Sequence, residues 1–125
     1  MDRKGEIQMY LGLSDVNLSA FDEGMPIRVC ADTLDHICAE LGVERVDYMA
    51  MDVEGAEVEA LRGAKRILRC TEKVVVGAYH QRGGKPTWFW VERYLKKMGF
   101  KTKVTDDGLV HAWRTGTRSH AGSLI

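Results

Sequence analysis

The sequence predicts an α/β domain in which parallel strands, joined by crossover helices, end in an antiparallel hairpin. Three observations carry that expectation. Two short, nearly unbroken apolar runs, "RVDYMAMD" and "KVVVGAYH", read as buried strands. Helical periodicity flanks each run, and strands separated by single helices imply right-handed crossovers and a parallel sheet. Asp107-Gly108 then stands between two alternating stretches near the C-terminus, a hairpin signal.

Taken in order, "GEIQMYL" alternates Ile7, Met9 and Leu11, which predicts a first strand before the turn residues of 12–17. In "ADTLDHICAELG", Asp32 or Thr33 can cap a helix by accepting from its unpaired amides. Leu34, Ile37, Cys38 and Leu41 form its apolar face, and Gly42 is a natural stop. The run Val46 to Asp52 follows as a strand. "AEVEALRGAKRILR" reads as one helix with Val58, Leu61, Ala64 and Leu68 along one side. Its acidic residues come early and its basic ones late, which suits the helix dipole. Gly63 inside it costs roughly 1 kcal/mol relative to Ala, so close packing is expected there. After the strand Val74 to Tyr79, Gly83-Gly84 reads as a flexible loop. "TWFWVERYLKKMG" is a further helix with Trp88, Val91, Leu95 and Met98 in register, closed by Gly99. Residues 100–114 supply the hairpin, and 115–125 read as a mobile tail beyond a domain of 1–114.

Both faces of the two central strands are apolar, yet three helices on neighbouring right-handed crossovers tend to cover one face. The chain therefore looks short of a second layer, with the edge of strand 46–52 unpaired. Exposed edges and apolar faces invite self-association, so the expected partner is a second copy, in a homodimer through that face or edge.

A length of 125 residues suits one domain, and 45% hydrophobic with 29% charged residues excludes wholesale disorder. Eighteen basic residues balance 18 acidic ones, so charge predicts no nucleic-acid binding. No apolar run approaches the roughly 20 residues of a membrane span. "MDRKGEIQ" holds no apolar signal-peptide core, and the expected location is the cytoplasm. Cys30, Cys38 and Cys70 form no CxxC pair, which fits free, mostly buried thiols. His36, His80, His111 and His120 lack metal-ligand spacing.

Chemistry concentrates where strand 46–52 ends, in Asp52-Val53-Glu54-Gly55. Ligands of open parallel sheets gather beyond the carboxyl ends of the strands. His80 ends the following strand, so Asp52, Glu54 and His80 are expected on one rim. Carboxylates there can bind an amine or hydroxyl, accept a proton or hold a metal. Equally, Glu54 can simply favour the dipole of the helix it precedes, and His80 can be a solvent-facing loop residue. A phosphate cradle in "GAYHQRGGKPT" fails on spacing, and Pro86 stands where Ser or Thr is needed. Trp88, Phe89, Trp90 and Tyr94 fit helix packing better than a base-stacking platform.

"TLDHICAELGVERVDYMAMDVEGAEVEALRGAKRIL" closely resembles the second half of FkbM-type S-adenosylmethionine-dependent methyltransferases. "VVVGAYH" is similar to that family's next strand, and "DRKGEIQMYLGLSDVNLSAF" to an earlier hairpin segment. The resemblance runs from about residue 2 to residue 114. It implies a partial Rossmann-like methyltransferase fold, with 46–52 as the fourth strand, 74–79 as the fifth and the hairpin as the last two. It implies S-adenosylmethionine as cofactor and a small molecule or sugar as methyl acceptor. Asp52 would orient acceptor or cofactor, Glu54 would contact the acceptor or a metal, and His80 would be the general base. The family's glycine-rich loop and ribose-binding acid would lie before Met1. An N-terminal cofactor-binding half is thus expected to be missing, and cofactor binding by this chain alone to be weak. Two alternatives remain: a non-catalytic, self-associating methyltransferase-like module, or metal binding by Asp52, Glu54 and His80 without methyl transfer.

Overall fold

The computed structural model describes residues 5–11, 18–19 and 25–115. Its central element is a four-stranded mixed sheet built from β4 (Val46–Met51), β5 (Thr71–Gly77), β8 (Lys101–Val104) and β9 (Leu109–Trp113) in the order β4-β5-β9-β8. β4 and β5 are parallel, with Val46 opposite Thr71 and Met51 opposite Val76. β9 runs antiparallel to both β5 and β8. The α/β reading, with a parallel pair closed by an antiparallel hairpin, therefore describes this sheet.

The first strand does not join it. β1 (Gly5–Leu11) pairs antiparallel with β2 (Leu18–Ser19) and with β3 (Met25–Ala31) in a separate sheet of order β2-β1-β3. The physical reason is the connection. A parallel neighbour needs a crossover of a dozen or more residues, usually a helix. Among the described residues no helix lies between β1 and β3, in keeping with local antiparallel pairing. Pro26, which donates no ladder hydrogen bond, is tolerated because β3 lies at the edge of that sheet.

The core lies on one side of the mixed sheet. Val74 and Val76 of β5 and Val110 and Ala112 of β9 are buried with Leu61, Ala64, Ile67, Leu68, Val91 and Leu95 from the helices. The opposite face holds Lys73, Val75 and His111, which are half-buried, and Trp113, which is exposed. α1 (Leu34–Leu41) starts at Thr33, whose side chain accepts from the His36 amide, and ends at Gly42 in the left-handed conformation. Half of its expected apolar face is open: Leu34 and Cys38 touch the core, but Ile37 and Leu41 are exposed.

The helix expected over 56–69 is two. α2 (Glu57–Arg62) and α3 (Lys65–Arg69) break at Gly63-Ala64. Asp35 of α1 causes the interruption to persist. Its amide donates to the Gly63 carbonyl, while its carboxylate accepts from the amides of Arg66 and Ile67 at 2.9 and 2.8 Å. A carboxylate from a neighbouring helix thus caps α3.

Around the expected loop at Gly83-Gly84, β6 (Gln81–Arg82) and β7 (Lys85–Pro86) form a short hairpin. Gly83 and Gly84 both take positive φ, the two-residue turn that matches strand twist. α4 (Trp88–Lys97) buries Val91 and Leu95. Trp88 and Tyr94 pack on the core, whereas Phe89 and Trp90 stay exposed.

Arg114 fastens the back of the molecule. Its guanidinium donates to the carbonyls of Leu68, Met98 and Thr71 and lies 4.0 Å above the Phe100 ring. The first two carbonyls belong to helix C-terminal turns, where intrahelical partners run out. The three cysteines are unpaired as expected, but Cys30 and Cys70 are exposed rather than buried. The expected tail falls largely outside the described residues. Among the described residues no helix is long and apolar enough to cross a membrane.

Candidate functional site

Asp52, Glu54 and His80 meet at the carboxyl ends of β4 and β5. His80 Nε2 stands 3.7 Å from Asp52 Oδ1 and 3.3 Å from Glu54 Oε2. The strand register explains the meeting: Met51 opposes Val76, so the chains leave the sheet side by side. Each residue is then fixed locally.

Asp52 is held by the next residue along the rim. The Tyr79 hydroxyl donates to Asp52 Oδ2, and the Tyr79 ring leans against His80 with centroids 4.4 Å apart. The Asp52 hydrogen bond, with lesser help from burial and the surrounding carboxylates, pushes the Tyr79 phenol up to about 12. Two glycines make room for this pair. A Cβ on Gly77 would stand 3.0 Å from Tyr79 Cε2 and 3.1 Å from Asp52 Cγ. One on Gly108, at the tip of the β8–β9 hairpin, would come within 2.7 Å of Tyr79 Cβ. The Gly108 carbonyl also accepts from the Ala78 amide, so the hairpin tip supports the exit of β5.

Glu54 occupies a left-handed conformation at φ 54°, alone among the described non-glycine residues. Gly55 follows at φ 99°. This tight turn points the Gly55 amide at Glu57 Oε2, 2.7 Å away. Left-handed backbone is strained for a residue with a Cβ, and such strain collects at functional sites.

His80 is mostly buried, with its backbone carbonyl accepting from the Thr87 amide. Its Nδ1 points inward, 3.5 Å from Glu57 Oε1. Glu57 is fully buried, and its Oε1 also accepts from the Thr87 hydroxyl at 2.6 Å. Behind it, Arg82 donates to both carboxylate oxygens of Glu59 at 2.7 Å.

Three carboxylates therefore surround one imidazole. Two of them, Asp52 and Glu54, face its outward nitrogen, so that a cation or a proton could be shared there, and their ligand atoms lie close enough to His80 Nε2 for a metal ion. A second group, Asp32, His36 and Glu40, is arranged differently. His36 Nδ1 meets Asp32 at 2.6 Å while Nε2 meets Glu40 at 3.1 Å, so each imidazole nitrogen already faces one acid, although the ligand atoms of this group too lie close enough for a metal ion.

Glu57 and Tyr79 were not singled out by sequence reasoning. Glu57 had a signal. It stands four residues before Leu61 and three before Ala60, placing a carboxylate on the core face of α2. Tyr79 had none, because a tyrosine at the end of an apolar run reads as part of the strand.

A family model described as the methyltransferase FkbM domain matches residues 8–102. The curated protein 2-O-methyltransferase NoeI of Sinorhizobium fredii is 41% identical over 59 residues, covering 47% of this chain and 24% of that protein. The chain thus matches about a quarter of the length of that curated relative. No solved structure matches.

Proposed function

The chain belongs to the methyltransferase FkbM domain family, and on that premise we propose that it carries the acceptor side of an S-adenosylmethionine-dependent O-methyltransferase. The observation that supports this reading is the meeting of Asp52, Glu54 and His80 beyond two adjacent parallel strands. A mouth lined by carboxylates suits a cationic group, and Asp52 would hold the sulfonium end of the cofactor. Bound S-adenosylmethionine supplies an electrophilic methyl group. The chain's own residues position the other reactant. His80 Nε2 accepts the proton of the acceptor hydroxyl, and Glu54 accepts a hydrogen bond from a neighbouring hydroxyl to orient it. Positioning of this kind supplies much of the rate of a displacement reaction. The relative's name, a 2-O-methyltransferase, supports a hydroxyl of a small molecule or sugar as acceptor. We assign the adenosine-binding half to a segment outside this chain, in keeping with β4 standing at the edge of its sheet.

Titration calorimetry of the full chain with S-adenosylmethionine tests the reading. Without the adenosine contacts, each a hydrogen bond of about 1.5–3 kcal/mol where a charged group is involved, a Kd of about 1 mM is expected. Asp52→Ala abolishes it. No binding to the wild-type chain at millimolar cofactor overturns the proposal that this chain holds part of the cofactor site.

A second reading, self-association with a second copy of this chain, rests on β4. It is an edge strand with Tyr48 and Ala50 exposed, and Ile37, Leu41 and Val43 just before it are exposed too. Its charges are self-complementary, because antiparallel pairing of two copies about Val46 sets Arg45 opposite Asp47 twice. Sedimentation at micromolar concentration is expected to show a dimer that Arg45→Asp disrupts and the exchange R45D/D47R restores. A monomeric wild type overturns it.

A further inference from the structure

We propose that Glu57 is a positioning residue that fixes which nitrogen of His80 carries the proton, leaving Nε2 free to act. The proposal rests on the reading of His80 as the base, and concerns a buried group to which the reaction itself assigns no part.

Three observations carry it. His80 Nδ1 is the buried side-chain atom that, among the described residues, lacks a hydrogen bond, and the atom it faces is Glu57 Oε1 at 3.5 Å. Glu57 is fully buried at the start of α2, so its carboxylate has no bulk water to satisfy it. Its two oxygens already accept from the Gly55 amide and the Thr87 hydroxyl. With both oxygens already accepting, Glu57 can act toward Nδ1 only as an acceptor, which favours a proton on that nitrogen. Asp52 and Glu54, facing Nε2, are 50% and 42% exposed and can be satisfied by water instead. A neutral imidazole has one N–H, so Nε2 keeps its lone pair. That nitrogen is the one turned toward Asp52 and Glu54.

The geometry also dictates what a neutral isostere does in Glu57→Gln. The Gly55 amide is fixed by the backbone and can only donate, so the introduced side chain must keep its carbonyl oxygen in the Oε2 position. Its amide nitrogen then takes the Oε1 position, facing Thr87 and His80 Nδ1. The Thr87 hydroxyl can rotate to accept, and the second amide hydrogen points at Nδ1. Nδ1 becomes the acceptor, and the imidazole proton moves to Nε2. The substitution therefore inverts the tautomer without removing a side chain from the rim.

The test reads the imidazole directly. In the full chain labelled with nitrogen-15, two-bond nitrogen–proton correlation of neutral His80 is expected to show Nδ1 protonated and Nε2 unprotonated. E57Q shows the reverse. Methyl transfer by E57Q falls at least about tenfold in kcat, within the range of general-base effects, with KM nearly unchanged. A wild-type His80 protonated on Nε2 overturns the proposal, and needs no variant to fold. An E57Q protein retaining the wild-type tautomer overturns it too. Absence of cofactor binding or transfer, with the tautomers as stated, removes the transferase reading and leaves the Glu57–His80 relation standing.

Discussion

The Tyr79 hydroxyl donates to Asp52 across the gap between β5 and β4, so the tips of the two parallel strands are tied at the rim itself. That bond exists while the phenol is protonated. Its ordinary value is 10.0, and the Asp52 contact pushes it up to about 12. The contribution to stability is therefore complete below pH 10 and is lost as pH rises through about 12. Ultraviolet titration of the wild type minus Asp52→Ala should show one tyrosine moving from about 12 back toward 10. Identical titration curves would remove the bond from the solution structure.

Glu54→Gly separates backbone comfort from chemistry. At φ 54° a glycine avoids the Cβ penalty of about 1–2 kcal/mol but loses more chain entropy on folding. The melting temperature should stay level or rise, while the S-adenosylmethionine binding proposed above should weaken in calorimetry because the rim has lost a carboxylate. A large fall in melting temperature would mean that the Glu54 side chain supports the fold.

Gly108→Ala should damage both. The position has φ 83°, and the new Cβ would stand 2.7 Å from Tyr79 Cβ and 3.0 Å from its Cα. Neither neighbour is the end of a flexible chain, so the hairpin tip must shift. A loss of about 1–3 kcal/mol is expected from the midpoint of chemical denaturation. Gly77→Ala, whose new methyl meets the Asp52 and Tyr79 side chains, should cost less stability and weaken the proposed cofactor binding as much.

How much of this was legible in the sequence depends on the range of the interaction involved. The pair of strands leading into Asp52 and His80 was legible because apolar runs and periodic helices are local signals, and the crossover rule converts their order into neighbours. β5 itself ends at Gly77, short of the expected Tyr79. The three rim residues followed from that order alone. β1 was legible as a strand through Ile7, Met9 and Leu11, but alternation does not say which strand it pairs with. β3 went unseen because Pro26 interrupts it, and an edge position is what makes that proline tolerable. The break at Gly63 was visible only as a cost. Its resolution comes from Asp35, on a different helix, whose carboxylate ends up against the start of α3. Tyr79 and Glu57 belong to the same class. Their roles lie in contacts to Asp52, Thr87 and His80 that only the folded chain creates.

Arg114→Met should lower stability by about 2–4 kcal/mol, since it removes a charged donor from three carbonyls and leaves two helix ends unsatisfied. Arg114→Lys should recover less than half, because an ammonium cannot present a planar fork to carbonyls approaching from different elements. Thermal denaturation of the three proteins decides it. A lysine variant as stable as wild type would show that charge, rather than fork geometry, is what counts.

The clasp made by Arg114 sets a practical boundary for anyone trimming the molecule. A stop codon after Thr115 leaves the two helix ends buttoned to the sheet. One placed two residues earlier, after Trp113, keeps every strand of the mixed sheet yet unfastens both helices at once. Soluble yield of nested C-terminal deletions should therefore fall in a single step at that residue instead of declining gradually.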